Sequence, residues 1–238
     1  MSVLRTDEPA EGVLRLRLDR PAKRNAVDRE LAEALVEAFD GPDAAVVILG
    51  SSGPEAFCAG LDRSLEAPDE RAAVSDLLYE LYERMLTSPV PIVAAIAGPA
   101  IGGGAQLAIA SDLRVAGPNA RIRFAGAGHG LAVGAWGLGS LVGRGRAMDL
   151  CLSMREVSAD EAAAIGLVDR VADDPDAAAL RLATQVTRLD RAAVARVKRL
   201  VASDDLLESL RRERRENAAA WSGEIPEGSL PVPARDDA

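Results

Sequence analysis

Between Val13 and Asp19 the chain alternates strictly, with Leu14, Leu16 and Leu18 on one side and Val13, Arg15, Arg17 and Asp19 on the other. Period two predicts a strand with one buried face, ended at Arg20-Pro21. The period then changes. Leu31, Leu35 and Phe39 recur every four positions behind Asp28, a good helix cap, and Gly41-Pro42 stops that helix. Ala45 to Leu49 and Ile92 to Ile96 are short apolar runs that read as buried strands. Between them lie a turn-rich loop, Ser51 to Asp62, and a helix carrying Leu77, Leu78, Leu81 and Met85 up to Ser88-Pro89.

A glycine cluster, Gly98-Pro99-Ala100-Ile101-Gly102-Gly103-Gly104, follows the strand that ends at Ile96, and Ala105 to Ala110 reads as a short helix behind it. Leu113 to Val115 and Ile122 to Phe124 read as strands. The next stretch has glycines at 126, 128, 130, 134, 137, 139, 143 and 145, a pattern of either a mobile loop or closely packed helices. Ser158 with Glu161 makes a capping box before Ala162 to Ile165, Gly166 ends that turn, and Leu167 to Val171 reads as a last strand. Helices fill the chain to Trp221. Strands recurring with intervening helices predict one α/β domain over residues 1–222, with helices over about 172–222 and a proline-bearing, flexible tail over 223–238.

Composition narrows the function. Among 238 residues, 28 Lys and Arg against 37 Asp and Glu leave a net charge of −9, and aromatics are only 3%. Such a surface disfavours nucleic acid, and any polyanionic ligand must be held by local cations. Cys58 and Cys151 have no paired spacing and the N-terminus carries no signal-like segment, which predicts a reducing, cytoplasmic setting. One His and two dispersed Cys are too few for a structural zinc site, so no metal is expected. Prolines 89, 91 and 99 and the glycine cluster break the uncharged stretch from Thr87 to Ser111, so no membrane span is expected.

Two loops that follow buried strands expose small residues, Phe57 to Asp62 and Gly98 to Gly104. If they converge, the backbone N–H groups of Leu61 and Gly103 can grip one carbonyl oxygen; otherwise both are tight turns.

The residues that carry a resemblance stand in four blocks: Arg20-Pro21-Ala22-Lys23-Arg24-Asn25-Ala26, Ala56-Phe57-Cys58-Ala59-Gly60-Leu61-Asp62, Pro91 to Asp112 with its three glycines, and Ser158 to Val171 with Gly166-Leu167-Val168. In this order they resemble the enoyl-CoA hydratase/isomerase (crotonase) family over about residues 3 to 220. The resemblance implies a crotonase-like spiral of ββα units with a C-terminal helical region, a homotrimer or hexamer, and an acyl-CoA ligand with no other cofactor. It places the oxyanion donors on Leu61 and Gly103. It places the CoA contacts on Lys23 to Ala26, where Lys23, Arg24 and Ala26 are expected to touch ligand, and on Ala59 and Leu61, Asp62, Arg63 and Ser64. Lys23, Arg24 and Arg63 would then offer charge to phosphates, or else be ordinary solvated side chains.

The departures are as informative. Family hydratases carry one glutamate two residues beyond the third glycine and another about twenty residues downstream, which handle water and proton. Here Gln106 and, by alignment, Gly126 stand in those places, and no Asp or Glu occurs from Leu113 to Met148. Gln106→Glu with Gly126→Glu is therefore expected to raise hydration. His129 is the remaining candidate for proton transfer, with a surface histidine as the alternative. Asp62 reads as a loop-fixing acceptor rather than a base. Trp136 lines an acyl pocket or packs in the core. The Glu- and Arg-rich helix around residues 208 to 216 reads as a solvated, internally paired face. Two functions remain open, an enoyl-CoA lyase or isomerase of fatty-acid metabolism with doubtful hydratase turnover, and a non-catalytic acyl-CoA binder or carrier.

Overall fold

The computed structural model describes residues 2–222. Its elements run β1 (Leu4–Ala10), β2 (Val13–Leu18), α1 (Arg29–Ala38), β3 (Val46–Ser51), α2 (Pro68–Thr87), β4 (Ile92–Ile96), β5 (Ala100–Ile101), α3 (Gly103–Ala110) and β6 (Leu113–Ala116). They continue with β7 (Arg121–Arg123), α4 (Ala135–Val142), α5 (Arg144–Ser153), β8 (Val157–Ser158), α6 (Ala159–Ala164), β9 (Arg170–Val171), α7 (Pro175–Val186), α8 (Arg191–Val201) and α9 (Asp204–Ser222). The apolar runs assemble a six-stranded sheet in the order β1-β2-β3-β4-β6-β9, parallel except for β1 against β2. A small second sheet, β5-β7-β8, sits beside it. The tail expected over 223–238 lies outside the described residues.

β4 and the Val46 to Leu49 stretch of β3 are apolar on both sides because both faces of the sheet are covered there. Val46, Ile48, Val93 and Val115 pack against Ala178, Ala179 and Leu182 of α7. Val47, Leu49, Ala94 and Ile96 point the other way, into the larger core shared with α1, α2 and α3. Asp28 caps α1 by accepting the Leu31 N–H at 3.0 Å, as its position predicts.

Other elements escaped the pattern for identifiable reasons. Strand β1 is an edge strand with mostly exposed residues, so it shows no buried alternation. Helix α5 buries only Leu150 and has no apolar stripe to read. The glycine-rich stretch resolves into a loop followed by the close helix packing that was one of its two readings: Gly137 of α4 lies where a Cβ would come within 3.1 Å of Ile109 Cδ1. The strand expected over Leu167 to Val171 shrinks to Arg170–Val171, because the N–H groups of Leu167 and Val168 turn back to the Ala162 carbonyl. The capping box is half made. Ser158 Oγ accepts from Glu161 N at 3.3 Å, but the Glu161 carboxylate pairs with Arg155 instead.

Helix α8 is held by a buried cation. Lys198 Nζ donates to the carbonyls of Met85 and Val90 at 2.9 Å and pairs with Asp112 at 2.7 Å, closing the end of α2 and the start of β4. Lys198→Met is expected to cost about 3 kcal/mol in urea unfolding, because it strands Asp112 and two carbonyls. The double variant with Asp112→Asn is expected to lose less than the two single losses added.

Candidate active site: two zippered loops

The turn after β2 is pinned by two polar side chains. Asn25, buried and at φ 55°, accepts the Arg20 N–H at 2.9 Å and donates to the carbonyls of Ala56 and Phe57. The Arg20 guanidinium bonds the Ala26 carbonyl and reaches Asp28 at 2.6 Å and Asp62 at 3.1 Å. Backbone bonds complete the seam: Ala59 N to Arg24 O at 3.0 Å, Val27 N to Gly60 O at 2.7 Å, and Asp62 N to Val27 O at 2.8 Å.

The other edge of the same loop is sewn to the glycine cluster. Phe57 N and Cys58 N donate to Pro99 O at 3.0 and 3.1 Å, and Ile101 N returns to Cys58 O at 2.9 Å. Two glycines permit the approach. A Cβ on Gly60, which adopts φ 86°, would sit 2.7 Å from Ile101 O and 3.2 Å from Gly103 N, and a Cβ on Gly104 would overlap the Cys58 carbonyl. The two loops therefore converge.

Gly103 opens α3, so its N–H has no intrahelical acceptor, and Gly102 precedes it at φ 55°. Neither the Leu61 N–H nor the Gly103 N–H has an acceptor among the described residues. Behind Gly103 the Tyr82 hydroxyl donates to the Gly103 carbonyl at 2.9 Å, and the Tyr82 ring stacks on Trp136 at 6.5 Å. Trp136 is buried with its indole turned to Gln106.

Gln106 is committed. Its Oε1 accepts from Trp136 Nε1 at 2.8 Å and from Gly134 N at 3.1 Å, and since both neighbours are pure donors the amide oxygen must face them. At Gly126 a Cβ would lie 2.5 Å from Val133 Cγ2 and 2.6 Å from Val133 Cβ. That position has no room for a glutamate unless the loop moves, so the double replacement suggested by alignment does not fit this chain as folded.

Asp62 is nearly buried and accepts from Ser64 N at 2.9 Å and Ser64 Oγ at 2.8 Å, besides Arg20. Burial pushes its carboxyl up, but the hydrogen bonds from Ser64 and Arg20 and the charge of Lys23 outweigh it and hold it below its ordinary value. Lys23 Nζ lies 3.4 Å from Ser64 Oγ. Lys23, Arg24 and Arg63 are exposed around this seam. His129, in a short turn after β7, is exposed, and its pKa is lowered by partial burial and then by Arg63 and Arg123. Cys58 is fully buried and its thiol is pushed up to about 12, so it is no nucleophile at neutral pH.

A model of the enoyl-CoA hydratase/isomerase family matches residues 8–222. The chain belongs to that family. Its relatives include the probable enoyl-CoA hydratase echA6 of Mycobacterium bovis, 41% identical over 206 residues that span 84% of this chain and 82% of the relative. The cyclohexa-1,5-dienecarbonyl-CoA hydratase of Thauera aromatica is 34% identical over 249 residues, 88% of this chain and 92% of its own. An enoyl-CoA hydratase/isomerase structure from Mycobacterium paratuberculosis superposes with a TM-score of 0.86 at 26% identity, over 94% of this chain and 96% of that one.

The crotonase-like α/β architecture expected from the four blocks is thus the observed one. Arg20 and Asn25 stand inside the first block, yet only the fold shows them pinning the turn after β2 to the loop that carries Leu61. Glu213 of α9 was read as solvated; it is 5% exposed, and Tyr79 Oη donates to it at 2.9 Å. The arginines around it pair mostly across to α2, Arg211 with Glu83 and Arg214 with Asp76, while Arg215 pairs with Glu208 on its own helix.

Proposed function

We propose that this protein binds an acyl-CoA thioester with the thioester oxygen between the Leu61 and Gly103 N–H groups, and that it polarises the acyl group without adding water efficiently. The carrying observation is the pair of backbone donors left without protein acceptors where two zippered loops meet, one at the N-terminus of α3. Two such donors and a helix dipole favour an enolate-like oxygen. The CoA end falls along Lys23, Arg24, Ala26, Ala59, Arg63 and Ser64, where exposed cations stand on an otherwise acidic protein. The names of the relatives, hydratases of CoA thioesters, point to the same ligand class.

The protons are where this member differs. Gln106 spends its oxygen on Trp136 and Gly134, and an amide does no acid–base work. A second reading keeps slow turnover through His129, favoured by its lowered pKa, which leaves a neutral imidazole able to accept a proton. A homotrimer or hexamer would give the exposed apolar residues Val197, Leu200 and Val201 of α8 a partner surface.

Calorimetric titration with a long acyl-CoA is expected to give saturable binding. Lys23→Ala with Arg63→Ala should weaken CoA thioesters by about 10-fold, since two charge-assisted contacts are lost, while the matching acyl-pantetheine, which lacks the nucleotide phosphates, binds as before. Absence of binding to every CoA thioester tried would overturn the reading.

A further inference from the structure

Behind the oxyanion pocket lies a buried carboxylate that the proposed chemistry does not use. Glu213 reaches in from α9 and meets only donors. Its Oε1 accepts from Tyr79 Oη at 2.9 Å and from Gly134 N at 3.1 Å, and its Oε2 accepts from Trp136 N at 2.9 Å. The N–H groups of Gly134 and Trp136, at the start of α4, thus converge on one carboxylate. Asn217, one turn later, brackets Ala132 by accepting its N–H at 2.9 Å and donating to its carbonyl at 2.6 Å, and also donates to Tyr79 Oη.

The Gly134 N–H is shared. It lies 3.1 Å from Gln106 Oε1 and 3.1 Å from Glu213 Oε1, so the two acceptors are close neighbours around one donor. A carboxylate at position 106 would therefore face a second one in a buried site, and two such groups cannot both stay ionised. We propose that Glu213 is a positioning residue of the acyl site, holding the Gly134–Trp136 turn beneath the oxyanion helix and occupying the single buried carboxylate place that this turn supports, so that position 106 must be neutral. That the site is an acyl site rests on the reading above; the pairing of 106 with 213 is tested without ligand.

The groups facing Glu213 from the packed elements are Tyr79 and Tyr82 on α2 and Cys151 on α5, while α3 and α4 bring no ionisable side chain. Burial and the Glu213 charge push Cys151 up to about 11, and both tyrosines are raised further, so all three stay neutral between pH 5 and 8. Burial lifts Glu213 itself to about 7 against its ordinary 4.5, in spite of its three hydrogen-bond donors. The folded chain thus holds this proton more tightly than the unfolded one, and stability falls as pH rises from about 4.5 to about 7 and is flat above.

The test is a melting-temperature cycle on the full chain. Gln106→Glu is expected to lower Tm at pH 8 by roughly 5 °C or more. Adding Glu213→Gln should raise Tm again relative to Gln106→Glu alone, although Glu213→Gln by itself turns an amide NH2 toward backbone donors and also lowers Tm. Between pH 5 and 8, wild type should lose Tm relative to Glu213→Gln, a slope that a purely space-filling role would not produce. Single shifts that add in the double variant, or a wild type and Glu213→Gln that keep a constant difference across that range, overturn the proposal. Should Gln106→Glu fail to fold, the double variant decides: a folded Gln106→Glu/Glu213→Gln protein supports the pairing, and a double variant that also fails to fold overturns it. Intact coupling with no acyl-CoA binding by wild type would remove the acyl-site reading and leave the pairing standing.

Discussion

Hydration of a short enoyl-CoA by the wild-type protein is expected to be at least about 10⁴-fold slower than by a family member that keeps both glutamates, since a positioned acid and a positioned base each contribute about 10²- to 10⁴-fold. The amide oxygen of Gln106 is occupied by two donors, the chain from Leu113 to Met148 contains no carboxylate, and Glu213 is sealed behind Trp136 and Tyr79. The proposed oxyanion grip does not depend on these residues, so a residual rate above the uncatalysed reaction is expected. If His129 carries that residue of activity, His129→Ala abolishes it; an unchanged rate removes His129 from the chemistry. The measurement is loss of the enoyl-thioester absorbance at enzyme concentrations high enough to see single turnovers. A turnover near about 10 s⁻¹, ordinary for enzymes, would show that the missing carboxylates do not limit this protein.

Gly104→Ala is expected to cost more than about 3 kcal/mol and to abolish acyl-CoA binding, whereas Gly139→Ala is expected to be neutral or to stabilise by up to about 1 kcal/mol. The two glycines are both helical and differ in their surroundings. A methyl group at 104 overlaps the Cys58 carbonyl and comes within 2.7 Å of Cys58 Cβ, and that carbonyl is the acceptor for Ile101 N in the seam that aligns the two loops. Backbone must move, and with it the Gly103 N–H. At 139 nothing lies within 4 Å, so alanine only improves helix propensity in α4. Urea unfolding and calorimetry on both variants check the pair; equal, small effects would mean that the seam between Cys58 and α3 is not tight.

The two variants also show where reading the chain succeeds and where it stops. That a glycine cluster feeds a helix is visible in Gly98 to Gly104, and the four family blocks were enough to expect the crotonase-like spiral. Which of those glycines is indispensable was not visible, because the answer lies in the carbonyl of Cys58, far away in sequence. The same holds for α9. Its Glu and Arg residues interleave as on any solvated helix, and only docking against α2 and α4 separates Glu213 and Asn217, which turn inward, from Arg211, Arg214 and Arg215, which pair on the surface.

By itself the sequence determined most of the succession of strands and helices, though not β1 or α5, together with the glycine loop after the strand ending at Ile96, the four blocks of the family, and the absence of carboxylates between Leu113 and Met148. These are properties of neighbouring residues, written as periods, turn formers and missing side chains. The tertiary structure decided the rest: that the loops bearing Leu61 and Gly103 converge with neither N–H accepted among the described residues, that Gln106 is bound to Trp136 and Gly134, and that a buried glutamate arrives from the last helix. The reason is that hydrogen-bond satisfaction and burial belong to surfaces brought together by the fold, and Gly134 and Glu213, 79 residues apart, share an environment only once α9 packs over α4.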